Sequence, residues 1–206
     1  MSTPSYNPWA NAARSGYACE GFAARYDVYL PAPPLLDLLG QFIRTLTPAL
    51  VVDLGSGTAL STAVWAGRAR QVIGIEPQAA MRAVAEARYA FPHVAFRDGS
   101  AQATGLPAGA ADVVTCAQSL HWMEPDSTLA EVARILRPGG VFAAYDYDLP
   151  PTVDWAAEQA FTVFMAQMRA LRRAHAVPPG IQEWDMAGHL GRLQASGRFR
   201  VVPAGG

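Results

Sequence analysis

The sequence contains no lysine; all 16 of its basic residues are arginine. That excludes Schiff-base chemistry and a phosphate-binding P-loop, both of which need a lysine amine. Cysteine is almost absent too. Cys19 and Cys116 stand alone, offering neither a disulfide framework nor paired zinc spacing, and they predict a reducing, cytoplasmic setting. His93, His175 and His189 have no metal-like spacing, so no metal is expected. No apolar run approaches the ~20 residues of a membrane-spanning helix. The first twenty residues, interrupted by Pro4 and Pro8, do not form a secretory signal. The net charge is −1, with both signs scattered. Without a basic stripe, no nucleic-acid partner is expected.

What is present suits one globular domain. The 206 residues are 51% hydrophobic and 16% charged, long enough for a single core. Three regions divide it. Residues 1–32 read as an N-terminal arm or lid, with Tyr17, Phe22, Tyr26 and Tyr29 at roughly helical spacing. Residues 33–150 read as a core, and 151–206 as a helical cap with a last strand.

Within the core, apolar periodicity predicts a helix over 33–47, strands over 50–54, 71–76, 94–99, 111–118 and 141–148, and helices over 59–68, 78–90 and 126–136. Pro138-Gly139-Gly140 marks a sharp stop before the fifth strand. Helices are expected at 155–174 and 183–196, and a short strand at 199–202. The fold class is therefore α/β, a Rossmann-like, doubly wound, mainly parallel sheet with helices on both faces. Ligands in such sheets bind beyond the carboxyl ends of the strands, so chemistry is sought in the turns that follow them.

The first such turn is VVDLGSGTAL, residues 51–60. A dinucleotide fingerprint, GxGxxG or GxGxxA, needs a small third residue so that the helix packs close and its N-terminus faces a pyrophosphate. Leu60 stands there instead. The spacing that does match is an acid followed by alternating small residues: Asp53, Gly55, Gly57 and Ala59. Downstream come VIGIEP, GSAQATGLPAGAADVVTCAQSLHW and LAEVARILRPGGVFAAYD, in order. In these segments the sequence resembles the class I S-adenosylmethionine-dependent methyltransferases, over about residues 17–150. Its SLHW turn is similar to that of the trans-aconitate methyltransferase-like subgroup.

The resemblance implies methyl transfer from S-adenosylmethionine to a small-molecule acceptor, leaving S-adenosylhomocysteine. It places Asp53, Gly55, Ser56, Gly57 and Ala59 around the cofactor's methionine and ribose. Asp53 either attracts the ammonium group, caps the following helix, or does both. Glu76, followed by Pro77, would accept the ribose diol. Met81 would either pack on the adenine or fill the core. Relatives carry Gly-Asp-Ala at the third turn, whose Asp binds the adenine amino group. Gly99-Ser100-Ala101 stands here, so backbone groups of Ser100 and Ala101 take over that role. Gln118 and Ser119 would meet the methionine end. His121 is the candidate general base, against a structural imidazole.

At the fifth strand's end, only some of Tyr145, Asp146, Tyr147 and Asp148 can face an acceptor. The helix at 155–174, with the arm, would roof an apolar acceptor pocket. The family sheet has seven strands and ends in a hairpin, whereas this sequence stops near a sixth strand at VVPAGG. That predicts an incomplete C-terminal hairpin and an exposed edge that a second copy covers as a homodimer. Two other functions remain open: an NAD(P)-dependent oxidoreductase, and a non-catalytic nucleotide-binding or scaffold module.

Overall fold

The computed structural model describes residues 33–43, 45, 47–147, 154–175 and 184–202. Five parallel strands form one sheet: β1 (Leu50–Leu54), β2 (Gln71–Ile75), β3 (Val94–Arg97), β4 (Ala111–Ala117) and β5 (Leu136–Tyr145), in the order β3-β2-β1-β4-β5. β1 lies between β2 and β4, so the order reverses beside it and opens a crevice at its carboxyl end. The helices are α1 (Pro33–Phe42), α2 (Ala79–Arg88), α3 (Pro125–Ile135), α4 (Trp155–Ala174) and α5 (His189–Ala195).

The near-continuous burial along β1, β2 and β4, without polar alternation, reflects cover on both faces. Alternate residues feed two clusters. Val52, Leu54, Ile73, Ile75, Val114 and Cys116 pack with Leu120, Val132 and Ile135. Val51, Val72 and Val113 pack with Leu36, Leu39 and Trp65. Each fully buried aliphatic side chain contributes ~1.5–3 kcal/mol. α3 starts where Pro125 occupies its first position and the Glu124 carboxylate accepts the Asp126 and Ser127 amides at 3.1 and 2.8 Å, a strong cap.

Several expectations change. The helix over 59–68 is only a short 3-10 turn, Thr62–Trp65. Ala59 adopts φ +72°, outside helical geometry. The Asp53 carboxylate also takes the hydroxyls of Ser61 and Thr62, which ties this stretch to the sheet. Residues 199–202 are not a strand; Phe199 instead stacks near Phe142, with ring centroids 5.6 Å apart. The fifth strand begins earlier than expected, at Leu136. Between the pairs Ala111↔Leu136 and Val113↔Val141, β5 advances five residues against two in β4, so the Pro-Gly-Gly turn bulges outward, with Gly139 at φ +77°.

The helix at 155–174 forms as expected, capped by Asp154, whose carboxylate accepts the Ala157 amide at 2.9 Å. Its apolar stripe does not close over the sheet: Phe164 and Leu171 are each 53% exposed. The expected helix over 183–196 is shorter, a 3-10 turn (Met186–Gly188) leading into α5. The helical reading of 17–30 lies outside the described residues. Among the described residues no helix is long and apolar enough to cross a membrane.

Candidate active site

The turn after β1 is built from within. The Asp53 side chain is fully buried. Its Oδ1 accepts the Thr115 hydroxyl at 2.7 Å, and its Oδ2 accepts Ser61 and Thr62 at 2.5 and 2.6 Å. Burial pushes its pKa up, against the pull of those three hydroxyls. The residue knots β1, β4 and the 3-10 turn together. With no exposed surface, it has no direct contact to offer a cofactor ammonium group, so only the structural half of its expected role has geometric support.

Gly55 and Gly57 adopt φ +66° and +55°, where L side chains are strained. Their surroundings differ. A Cβ on Gly55 would lie 2.7 Å from Ser119 Cβ and 3.0 Å from Met123 Cε. Glycine there lets the turn after β4 close against the turn after β1. A Cβ on Gly57 would meet only Met81 Cε, at 3.5 Å. Met81 is itself buried, and its methyl packs on this glycine. Four amides of the turn already have partners. Gly55 and Ser56 donate to the Ile75 carbonyl at 2.8 and 3.2 Å, Gly57 donates to Glu76 Oε2 at 2.9 Å, and Ala59 donates to the Ser56 carbonyl at 2.8 Å. A pyrophosphate needs such donors free. Ser56 Oγ is buried without a partner.

Glu76 is buried at the end of β2. Its Oε1 accepts the Gln78 amide at 2.9 Å across Pro77, and its Oε2 accepts Gly57. Burial raises its pKa, opposed by those two amides and by Arg82. Arg82 Nη1 donates to the Glu76 carbonyl at 2.6 Å and pairs with Asp98 Oδ1 at 2.9 Å. Asp98 is therefore engaged by α2. Ser100 and Ala101 are buried, Ala101 packing with Val52, Leu54 and Ile75.

Gln118, after β4, stands at φ +51°, a strained geometry for a non-glycine residue. Its amide donates to the Tyr145 carbonyl at 2.9 Å. Ser119 Oγ donates to the Leu54 carbonyl at 2.7 Å, tying the ends of β1 and β4. His121 follows in a 3-10 turn, Leu120–Trp122. Its Nδ1 lies 2.9 Å from Asp146 Oδ2. Asp146 Oδ1 accepts the Tyr147 amide at 2.8 Å. The Trp122 ring tilts beside the imidazole at 4.6 Å, and the His121 carbonyl accepts the Trp184 amide at 2.8 Å.

The structure thus joins Asp53, Gly55, Ser56, Gly57, Ala59, Glu76, Met81, Gln118 and Ser119 at the ends of β1, β2 and β4. Sequence reasoning placed Asp146 at the rim but missed its pairing with His121. The available signal was adjacency: β4 and β5 are joined by one crossover, so residues just past their ends become neighbours. His189 lies nearby on α5. Its Nε2 is buried without a partner, and burial, Arg192 and His121 lower its pKa. Among the described residues, no group of three or more His, Cys, Asp or Glu side chains could hold a metal ion.

Comparison with known proteins finds likenesses centred on the core. Residues 52–144 match the family described as "Methyltransferase domain". A mycobacterial relative, an uncharacterized methyltransferase of Mycobacterium bovis, is 38% identical over 103 residues, covering 48% of this chain and 42% of that protein. The ubiquinone/menaquinone biosynthesis C-methyltransferase UbiE of Rubrivivax gelatinosus is 31% identical over 141 residues, covering 62% of this chain and 53% of that protein. The chain thus spans about half the length of these relatives. The YcgJ protein of Bacillus subtilis superposes with a TM-score of 0.58 at 20% identity, over 78% of this chain and 66% of that structure. That likeness shows a shared Rossmann-like fold. Nothing in the comparisons supports an oxidoreductase.

Proposed function

We propose that this chain transfers a methyl group from S-adenosylmethionine to a small-molecule acceptor. The observation that carries the reading is the turn after β1: Leu60 stands where a dinucleotide turn needs a small residue, and the amides of Gly55, Ser56, Gly57 and Ala59 are bonded within the protein, Gly57 to the buried Glu76 carboxylate. A carboxylate has about four acceptor positions, and two here are filled by backbone amides. The remaining lone pairs suit a ribose 2′,3′-diol. Glu76 would serve the ribose of either cofactor; Leu60 and the internally bonded turn amides are what favour an adenosine linked to an amino acid over a dinucleotide.

In this reading Glu76 holds the ribose and Gly57 lets the backbone approach it. Ser100 and Ala101 offer main-chain groups to the adenine, beside Pro77 and Met81. Gln118 and Ser119 line the methionine end, and Ser56 Oγ is an unpartnered donor near the turn. Asp53 and Ala59 shape the turn from inside. When bound, S-adenosylmethionine supplies a sulfonium-activated methyl group that needs no metal or lysine. The protein's part is to position the acceptor in line and to exclude water. We further infer a soluble cytoplasmic setting and a homodimer, the latter because β5 is a sheet edge among the described strands.

Titration calorimetry with S-adenosylhomocysteine and with NAD tests the cofactor. Heat from the sulfur compound and none from NAD is expected; the reverse overturns the proposal. Binding of S-adenosylhomocysteine with no transfer to any acceptor would favour the non-catalytic nucleotide-binding module.

A further inference from the structure

The methyl-transfer reading leaves one side-chain pair unexplained. His121 and Asp146 lie beyond the ends of β4 and β5, and His121 is two residues past Ser119, which packs against Gly55. An ionised carboxylate only accepts hydrogen bonds. With Asp146 Oδ2 at 2.9 Å from Nδ1, the neutral ring must carry its proton on Nδ1. The lone pair then sits on Nε2, which makes no hydrogen bond to any described residue and is not among the buried unpartnered atoms. Asp146 is itself fixed, because its other oxygen takes the Tyr147 amide. A carbonyl bond to Trp184 anchors the turn from the far side.

The geometry points to His121 as the general base of the transfer, Asp146 as its positioning residue, and a weakly acidic hydroxyl of the phenol class as the acceptor. The inference rests on the methyl-transfer reading above. A carboxylate acceptor would arrive already ionised and would need no base. A phenol, with a pKa near 10, needs its proton removed as the oxygen attacks, and an imidazole near 6.5 is suited to take it. As the O–H bond breaks toward Nε2, the oxygen bonds to the methyl carbon and the S–CH3 electron pair stays on sulfur. The imidazolium then releases its proton to solvent.

His189 on α5 lies near the pair: burial first, then Arg192 and His121, lower its pKa, with Asp185 and Asp146 opposing.

Asp146→Asn gives a test with unchanged shape. The Tyr147 amide keeps the asparagine oxygen, so the NH2 group faces His121 Nδ1 and must donate to it. The ring's proton is thereby moved to Nε2, and the base is lost. Nitrogen-15 NMR of the full chain, with His121 assigned through His121→Gln, should show Nδ1 protonated in the parent and Nε2 protonated in Asp146→Asn. Labelled S-adenosylmethionine should methylate biphenyl-4-ol but not biphenyl-4-carboxylate. In Asp146→Asn that ether formation should fall at least ~100-fold and lose its acid limb, while affinity for S-adenosylhomocysteine stays within about twofold. An Nε2-protonated parent, ether formation indifferent to Asp146→Asn, esterification instead of etherification, or no transfer to either probe overturns the assignment. Failure of S-adenosylhomocysteine to bind the parent would instead remove the methyl-transfer reading, leaving the NMR result to stand separately.

Discussion

Single residues show which chemical identities were readable and which roles were not. Glu76 was legible as an acid ending a strand after a glycine turn. Replacing it with Ala should weaken S-adenosylhomocysteine binding about 10- to 100-fold, the worth of hydrogen bonds to a charged group, as calorimetry would report. Asp53 was legible as an acid in a motif, but its partners were not, since Thr115 is remote in sequence and reaches it only because β4 pairs with β1. Glu131 was not singled out at all. It accepts Thr104 through amide and hydroxyl at 2.9 and 2.5 Å, and Arg134 at 2.7 and 2.8 Å. Burial works to raise its pKa, but Arg134 and Thr104 win and hold it down to about 2, from 4.5. The folded-state value is depressed, so its stabilisation is present above pH 4.5 and disappears as pH falls through about 2. Urea midpoints measured from pH 6 to 2 should therefore fall more steeply in the parent than in Glu131→Gln, which loses ~1.5–3 kcal/mol at neutral pH.

Elements were placed well where burial alone decides them. β1, β2 and β4 are short apolar runs bounded by turns, and their interiors match the expected segments. The stretch 59–68 misled because its composition suits a helix. What prevents one is the left-handed Ala59 and the attachment of Ser61 and Thr62 to a buried carboxylate, both products of assembly. The two turn glycines separate packing from binding. Gly55→Ala combines the ~1–2 kcal/mol of a left-handed alanine with ~1–3 kcal/mol of overpacking against Ser119. It should lower stability by about 2–5 kcal/mol in denaturant titrations. Gly57→Ala meets no close atom and should lose only ~1–2 kcal/mol, yet it should weaken S-adenosylhomocysteine binding more than Gly55→Ala weakens it per unit of lost stability. Equal effects from both variants would mean that position 57 is a folding glycine and nothing more.

At the scale of the molecule, the strand order matters most, because it sets the crevice at the end of β1 and leaves β5 at an edge among the described strands. The dimer belongs to this scale: sedimentation velocity at micromolar concentration should give twice the 22.0 kDa chain mass, and a monomer under those conditions would remove the proposal. The sequence by itself determined the α/β class, the parallel strands, the glycine turn and Glu76, because local periodicity and turn chemistry act over a few residues and survive without context. Only the tertiary structure decided that the amides of Gly55, Ser56, Gly57 and Ala59 are bonded within the protein, that Asp53 is sealed inside, and that His121 meets Asp146. Those outcomes depend on pairings between strands distant in the chain, where the free energy comes from burial and hydrogen bonding that no local pattern encodes.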